Sequence, residues 1–117
     1  MAHDPRFPTG MPPYLQTVIT TVCQVLEVEI EEVMATPPRC TAEIVHARRL
    51  CFLFLYHCGR GYTHRFIAQW FGVDDTNVGK GITSLNQNDP GTPRIWQAQM
   101  QEIEKRVAAA QRAQSAS

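Results

Sequence analysis

Residues 50–56, Leu-Cys-Phe-Leu-Phe-Leu-Tyr, set the strongest limit on what this chain can become. They lie inside "TAEIVHARRLCFLFLYHCG", where the spacing of apolar residues is helical. Thr41 is placed to cap the start of that helix and Gly59 to end it. A helix that is apolar on nearly every side from Leu50 to Tyr56 is stable only when other elements surround it. A helix over residues 41–58 is therefore expected at the centre of the fold. The apolar run is much shorter than a bilayer crossing requires, and it is the longest in the chain.

The neighbouring segments supply its cover. "YLQTVITTVCQVLEV" carries Leu15, Val18, Ile19, Val22, Val25 and Leu26 at helical spacing, behind prolines suited to a helix start. A short acidic helix, "EIEEVMA", is expected next and stops at Pro37-Pro38. After "GRGY", Thr63 caps "HRFIAQWF", which Gly72 ends. Asp74 or Asp75 caps a further helix running to about Gln87. "NQNDPG" reads as a loop, and Thr92-Pro93 opens a last helix bearing Ile95, Trp96, Met100, Ile103 and Val107. Nothing alternates with period two over a useful length. The 117 residues suffice for one domain with a modest core. The expected fold is thus all-α, a compact helical domain over residues 14–108. A loose proline-rich arm at 1–13 and a polar tail at 109–117 flank it.

Charge is balanced overall, 11 basic against 11 acidic residues, whereas a nucleic-acid binder usually carries a basic excess. Its distribution is uneven. Glu27, Glu29, Glu31 and Glu32 crowd one early stretch. From Arg39 to Lys80 six basic residues (Arg39, Arg48, Arg49, Arg60, Arg65, Lys80) face three acidic ones (Glu43, Asp74, Asp75). The first residues, "MAHDPRFPTGMPP", lack a signal-peptide layout, so a cytoplasmic protein with reduced thiols is expected. Cys23, Cys40, Cys51 and Cys58 form no Cys-x-x-Cys pair. His57 and Cys58 diverge by about 100° on a helix, which argues against a shared metal. Buried structural thiols are expected, with no metal and no cofactor.

One stretch, "FGVDDTNVGKGITSL" at residues 71–85, carries the functional question. Gly79-Lys80-Gly81 imitates a phosphate-binding loop. That loop needs four residues between its glycines and a hydroxyl after the lysine. Here six residues separate Gly72 from Gly79, and Gly81 follows Lys80. The same stretch does fit a helix-turn-helix. Ala68 is the small residue where the two helices meet, Gly72 takes the left-handed turn, and Val78 locks the second helix. Ile67, Phe71, Val73 and Ile82 add apolar contacts. An ordinary helical corner is the competing explanation. Gly79 and Gly81 each cost about 1 kcal/mol against alanine in a helix, so close approach to a phosphate backbone or a neighbouring helix is expected there.

With its flanks, the motif resembles the C-terminal DNA-binding domain of the bacterial replication initiator DnaA. "LEVEIEEVM", "IVHARRLCFLF" and "IAQWFGVDDTNV" follow one another in the family's order, over residues 15–87. The family's patterns are an acidic "V-x-x-x-D-L-L" helix, a long helix opening with Ala-Arg, and "F-G-G-R-D-H-T-T-V". The resemblance implies a helical fold related to the Trp repressor that binds short duplex DNA boxes. Its departures are specific. Val73 alone stands for the family's Gly-Arg turn, and Asp74, Asp75, Thr76 and Asn77 stand for Asp-His-Thr-Thr. His46 falls where the family has a minor-groove arginine. No counterpart of the family's ATPase module lies in these residues, so a reader domain is what the resemblance implies.

The start of the second helix then enters the major groove. Thr76 offers a methyl and a hydroxyl to base edges, and Asn77 suits adenine. Asp75 accepts from cytosine or repels phosphate, while Asp74 serves as the N-cap. Lys80 meets a phosphate or is simply a solvated lysine. Arg48 and Arg49 reach towards the backbone or minor groove, or one faces solvent as part of an amphipathic helix. His64 and Arg65 sit beside helix amides where phosphate docks. The candidate contacts are therefore Asp75, Thr76, Asn77, Lys80, Thr83, Arg48, Arg49, His46, His64 and Arg65. Double-stranded DNA is the expected partner, for a small regulator or replication-linked accessory protein. The alternative is a protein-interaction module on the same scaffold, favoured by Asp74-Asp75 and the zero net charge. No carboxylate pair, nucleophile with base, or metal set points to an enzyme.

Overall fold

The structure, a computed structural model, describes residues 5–35, 41–86 and 92–116. Among the described residues six helices run in order: α1 (Pro13–Leu26), α2 (Ile30–Val33), α3 (Ala42–His57), α4 (His64–Phe71), α5 (Asp75–Asn86) and α6 (Thr92–Ala116). No strand occurs among the described residues. The fold is all-α, as the periodicity indicates. The expected Pro37-Pro38 stop, Arg39, Cys40 and most of the "NQNDPG" loop lie outside the described residues, as do the side chains of Ile95 and Trp96.

Helix α3 is central, as expected from its apolar run. It packs against every other helix, and Leu50, Cys51, Phe52, Leu53, Phe54 and Leu55 are all buried. Thr41 starts it, its hydroxyl accepting the Ile44 N–H at 3.3 Å. Tyr56 departs from the expectation. It is 43% exposed, at the last turn of α3. Helix α1 presents Leu15, Val18, Ile19 and Val22, and α6 presents Ile103 and Val107, all on the core side. The thiols of Cys23 and Cys51 are buried with them. Desolvation disfavours their thiolates, pushing Cys23 up to about 12 and Cys51 well above its ordinary value.

Both expected ends of the domain are corrected. The proline-rich arm is not loose over its described part. Phe7 and Met11 are buried in the core, and Gln16 Nε2 donates to the Met11 carbonyl at 2.8 Å. Prolines have little conformational freedom to lose on folding, which lowers the cost of fixing the segment. At the other end, α6 continues to Ala116 and does not decay near residue 108. Residues 108–113 are half-buried or exposed, but the "AAAQRAQSA" segment is rich in strong helix formers.

Helices α4 and α5 meet through a three-residue turn. Gly72 adopts φ 67°, ψ 32°, and its N–H donates to the Ala68 carbonyl. The Val73 N–H donates to the same carbonyl at 3.2 Å. Ala68, Phe71 and Val78 are buried at this corner. Thr63 caps α4 by accepting the Phe66 N–H at 3.1 Å. Gly81 explains how closely α5 lies against α3. A Cβ there would sit 3.2 Å from Arg49 Cγ and from the Phe52 ring. A Cβ at Gly79 would instead meet the His64 imidazole at 3.3 Å. Both glycines therefore answer to neighbouring helices.

Two expected outcomes follow from this packing. Leu55→Ala leaves a cavity in the fully buried face of α3 and should cost about 2–5 kcal/mol in chemical denaturation. A loss below 1 kcal/mol, on the order of a surface change, would contradict the central placement of α3. The glycine pair should behave asymmetrically. Gly81→Ala pushes against Phe52, itself held edge-on to Phe71 with centroids 5.0 Å apart, and should lower the melting temperature. Gly79→Ala has only a half-buried imidazole to displace and gains about 1 kcal/mol of helix propensity, so it should raise or preserve stability.

Candidate functional site

The outer face of α5 forms one wall of a shallow cleft of about 770 Å³. Its lining is His64 from α4 and Asp75, Thr76, Gly79, Lys80, Thr83 and Ser84 from α5. Helical geometry explains the set. Positions 76, 80 and 83–84 recur every three to four residues and share a face, opposite buried Val78, Ile82 and Leu85. The cleft therefore collects five of the ten expected contact residues: His64, Asp75, Thr76, Lys80 and Thr83.

The start of α5 is built by two adjacent aspartates. The Asp74 carbonyl accepts the Asn77 N–H at 3.0 Å and the Val78 N–H at 3.4 Å, which makes Asp74 the residue before the first turn. The carboxylate contact to a helix amide comes from its neighbour. Asp75 Oδ1 accepts the Thr76 N–H at 2.8 Å. A negative charge at this end is favoured by the helix dipole, so Asp75 has a structural role as well as an exposed position.

His64 is fixed from two sides. Its ring lies tilted on that of Tyr56, with centroids 4.5 Å apart, and its Cε1–Nδ1 edge rests against Gly79. It makes no hydrogen bond to the described residues. Tyr56, Gly79 and Ser84 were absent from the expected set. Ser84 was detectable, since it lies four positions after Lys80 on the same helical face. Gly79 was conspicuous as a helical glycine, but only the fold identifies the imidazole as the group it admits. No local signal sets Tyr56 over His64.

The other expected contacts are placed elsewhere. Asn77 is exposed at the first turn of α5 but does not line the cleft, and Arg65 is exposed on α4. Arg49 is half-buried, its stem against Gly81. Arg48 is corrected outright. It is 7% exposed and points inward, Nη2 donating to the Phe71 carbonyl at 3.2 Å. It thereby ties the C-terminal end of α4 to α3, a position where a cation is favoured. His46 is also engaged internally, its Nε2 donating to Gln99 Oε1 on α6 at 2.7 Å. Arg60 stacks its guanidinium over the Tyr14 ring, 3.6 Å from the centroid. The basic middle of the sequence is thus only partly available to a ligand. At the cleft it reduces to Lys80 and the imidazole of His64, set against Asp75.

Among the described residues no group of three or more histidine, cysteine or acidic side chains is arranged to hold a metal ion, and no helix is long and apolar enough to cross a membrane. Comparison of the chain with family models, curated proteins and solved structures finds no match.

Proposed function

We propose that the chain binds double-stranded DNA sequence-specifically, with α4, the Gly72 turn and α5 acting as a helix-turn-helix and α5 as its reading helix. The carrying observation is the exposed row on α5, Asp75, Thr76, Lys80 and Thr83, beside His64 at the start of α4. Hydroxyl and ammonium groups on one helix face, with an imidazole beside them, suit base edges and phosphates together. The short turn, left-handed at Gly72, and the buried Ala68 and Val78 support the same assignment. The resemblance to the DnaA C-terminal domain and the Trp repressor class is part of this proposal. So is a role as a small regulator or replication-linked accessory protein.

Within this reading the residues divide by task. Lys80 meets a phosphate, Thr76 and Thr83 face the groove, and Asn77 reads a base from the exposed first turn. Arg65 lies at the helix start, where backbone phosphate can dock. Arg48 is a positioning residue that fixes the end of α4. A second reading, a protein-interaction module, is favoured by Asp74-Asp75 at the tip of α5 and by Lys80 being the one lysine or arginine among the described residues lining the cleft.

Band-shift titrations with mixed genomic duplexes at two salt concentrations test the proposal. Lys80→Ala should weaken all duplexes about equally, because phosphate contacts carry no sequence information. Asn77→Ala should instead flatten discrimination at one base pair, where a bidentate contact is worth ~1–3 kcal/mol. Unchanged affinity in both variants would remove α5 as the reader.

Asp75→Asn should tighten nonspecific binding, since it deletes a repulsive charge. An amide oxygen remains to accept the Thr76 N–H, and the salt slope should barely change, because no phosphate contact is added. The interaction-module reading requires no duplex affinity in either form, together with a protein partner whose binding changes at Asp75. Silence of both forms towards duplex at low salt would sink the duplex-binding proposal.

A further inference from the structure

We propose that His64 makes duplex binding proton-linked: its imidazole contacts a phosphate when charged, and Gly79 and Tyr56 hold it in position to do so. The inference rests on the duplex-binding reading of the cleft and adds its regulation by pH. Histidine is the side chain whose ordinary titration lies between pH 5 and 8. A charged imidazole donates from both nitrogens and attracts an anion, whereas the neutral ring has one donor and no charge.

Among the described histidines, the local geometry singles out His64. His46 is occupied by Gln99, and His57 lies outside the cleft lining. His64 lines the cleft, makes no hydrogen bond to the described residues, and is confined by Tyr56 and Gly79. Any side chain at position 79 would crowd its Cε1–Nδ1 edge at 3.3 Å, which gives the helical glycine a purpose at this site.

Charged and titratable groups around it come from three helices. Tyr56 and the neighbouring His57 belong to α3, Arg65 follows it on α4, and Asp75 and Lys80 share the cleft from α5. A phosphate in the cleft is attracted by Lys80 and by the imidazolium together. Anion binding and proton uptake are then coupled in both directions.

The test measures affinity for one labelled duplex from pH 5.5 to 8 at constant low salt. Wild type should bind more tightly at the acidic end by on the order of tenfold, with a slope no steeper than one proton per complex. His64→Gln should abolish that slope, and His57→Gln should retain it. His64→Arg, charged at every pH used, should also be flat. A readout independent of these variants is the imidazole NMR titration of wild type. Its His64 midpoint should rise when duplex is added. An equal pH slope in wild type and His64→Gln, or an unmoved midpoint, overturns the inference and leaves duplex binding standing. Absence of any duplex binding across the whole range overturns both.

Discussion

The burial of α3 is the constraint that the rest of the molecule satisfies. Six consecutive residues, Leu50 to Leu55, are withdrawn from water, so cover must arrive from all sides. Helix α1 and the arm provide one part, α6 another, and α4 with α5 the rest. The functional face follows from this arrangement. Helix α5 must lay Val78, Ile82 and Leu85 against the core, and its opposite face is then left to solvent with Thr76, Lys80 and Thr83 upon it. The close approach at Gly81 and the edge-on contact of Phe52 with Phe71 fix how the two elements sit. Arg48 completes the frame by bonding the last carbonyl of α4.

That frame consumes charge. Two cations of the basic middle are committed inside or along the fold, Arg48 at the α4 carbonyl and Arg60 on the Tyr14 ring. A guanidinium can do this because its planar fork stacks on aromatics and donates directionally. The cleft is left with a near balance, Lys80 and a titratable imidazole against Asp75. A site with so little fixed positive charge gains disproportionately from one added proton or one removed carboxylate. In the proposed function, its affinity for a polyanion is therefore set by a few groups and not by a broad basic surface.

The corrections share a cause. Composition marked residues 1–13 as an arm and 109–117 as a tail, yet Phe7 and Met11 are core residues and α6 runs to Ala116. Proline content reports the absence of a helix, which is different from the absence of order. Polar alanine-rich sequence reports the absence of a buried face, which is different from the absence of a helix. Likewise, Arg48 and Arg49 are adjacent in a basic pair, and nothing local states which of them turns inward.

The sequence by itself determined the helices, the caps at Thr41 and Thr63, the left-handed turn at Gly72 and the identity of the central helix. These depend on periodicity, on hydroxyls three residues from an amide, and on the steric freedom of one glycine. All are short-range properties of the chain. Tertiary structure decided the rest. Arg48 finds its acceptor 23 residues away, and His46 finds Gln99 53 residues away. Tyr56, His64 and Gly79 come together from three different helices. Such contacts exist only after α3 has been enclosed, because burial of the core determines which faces remain outside and which polar groups must be bonded within.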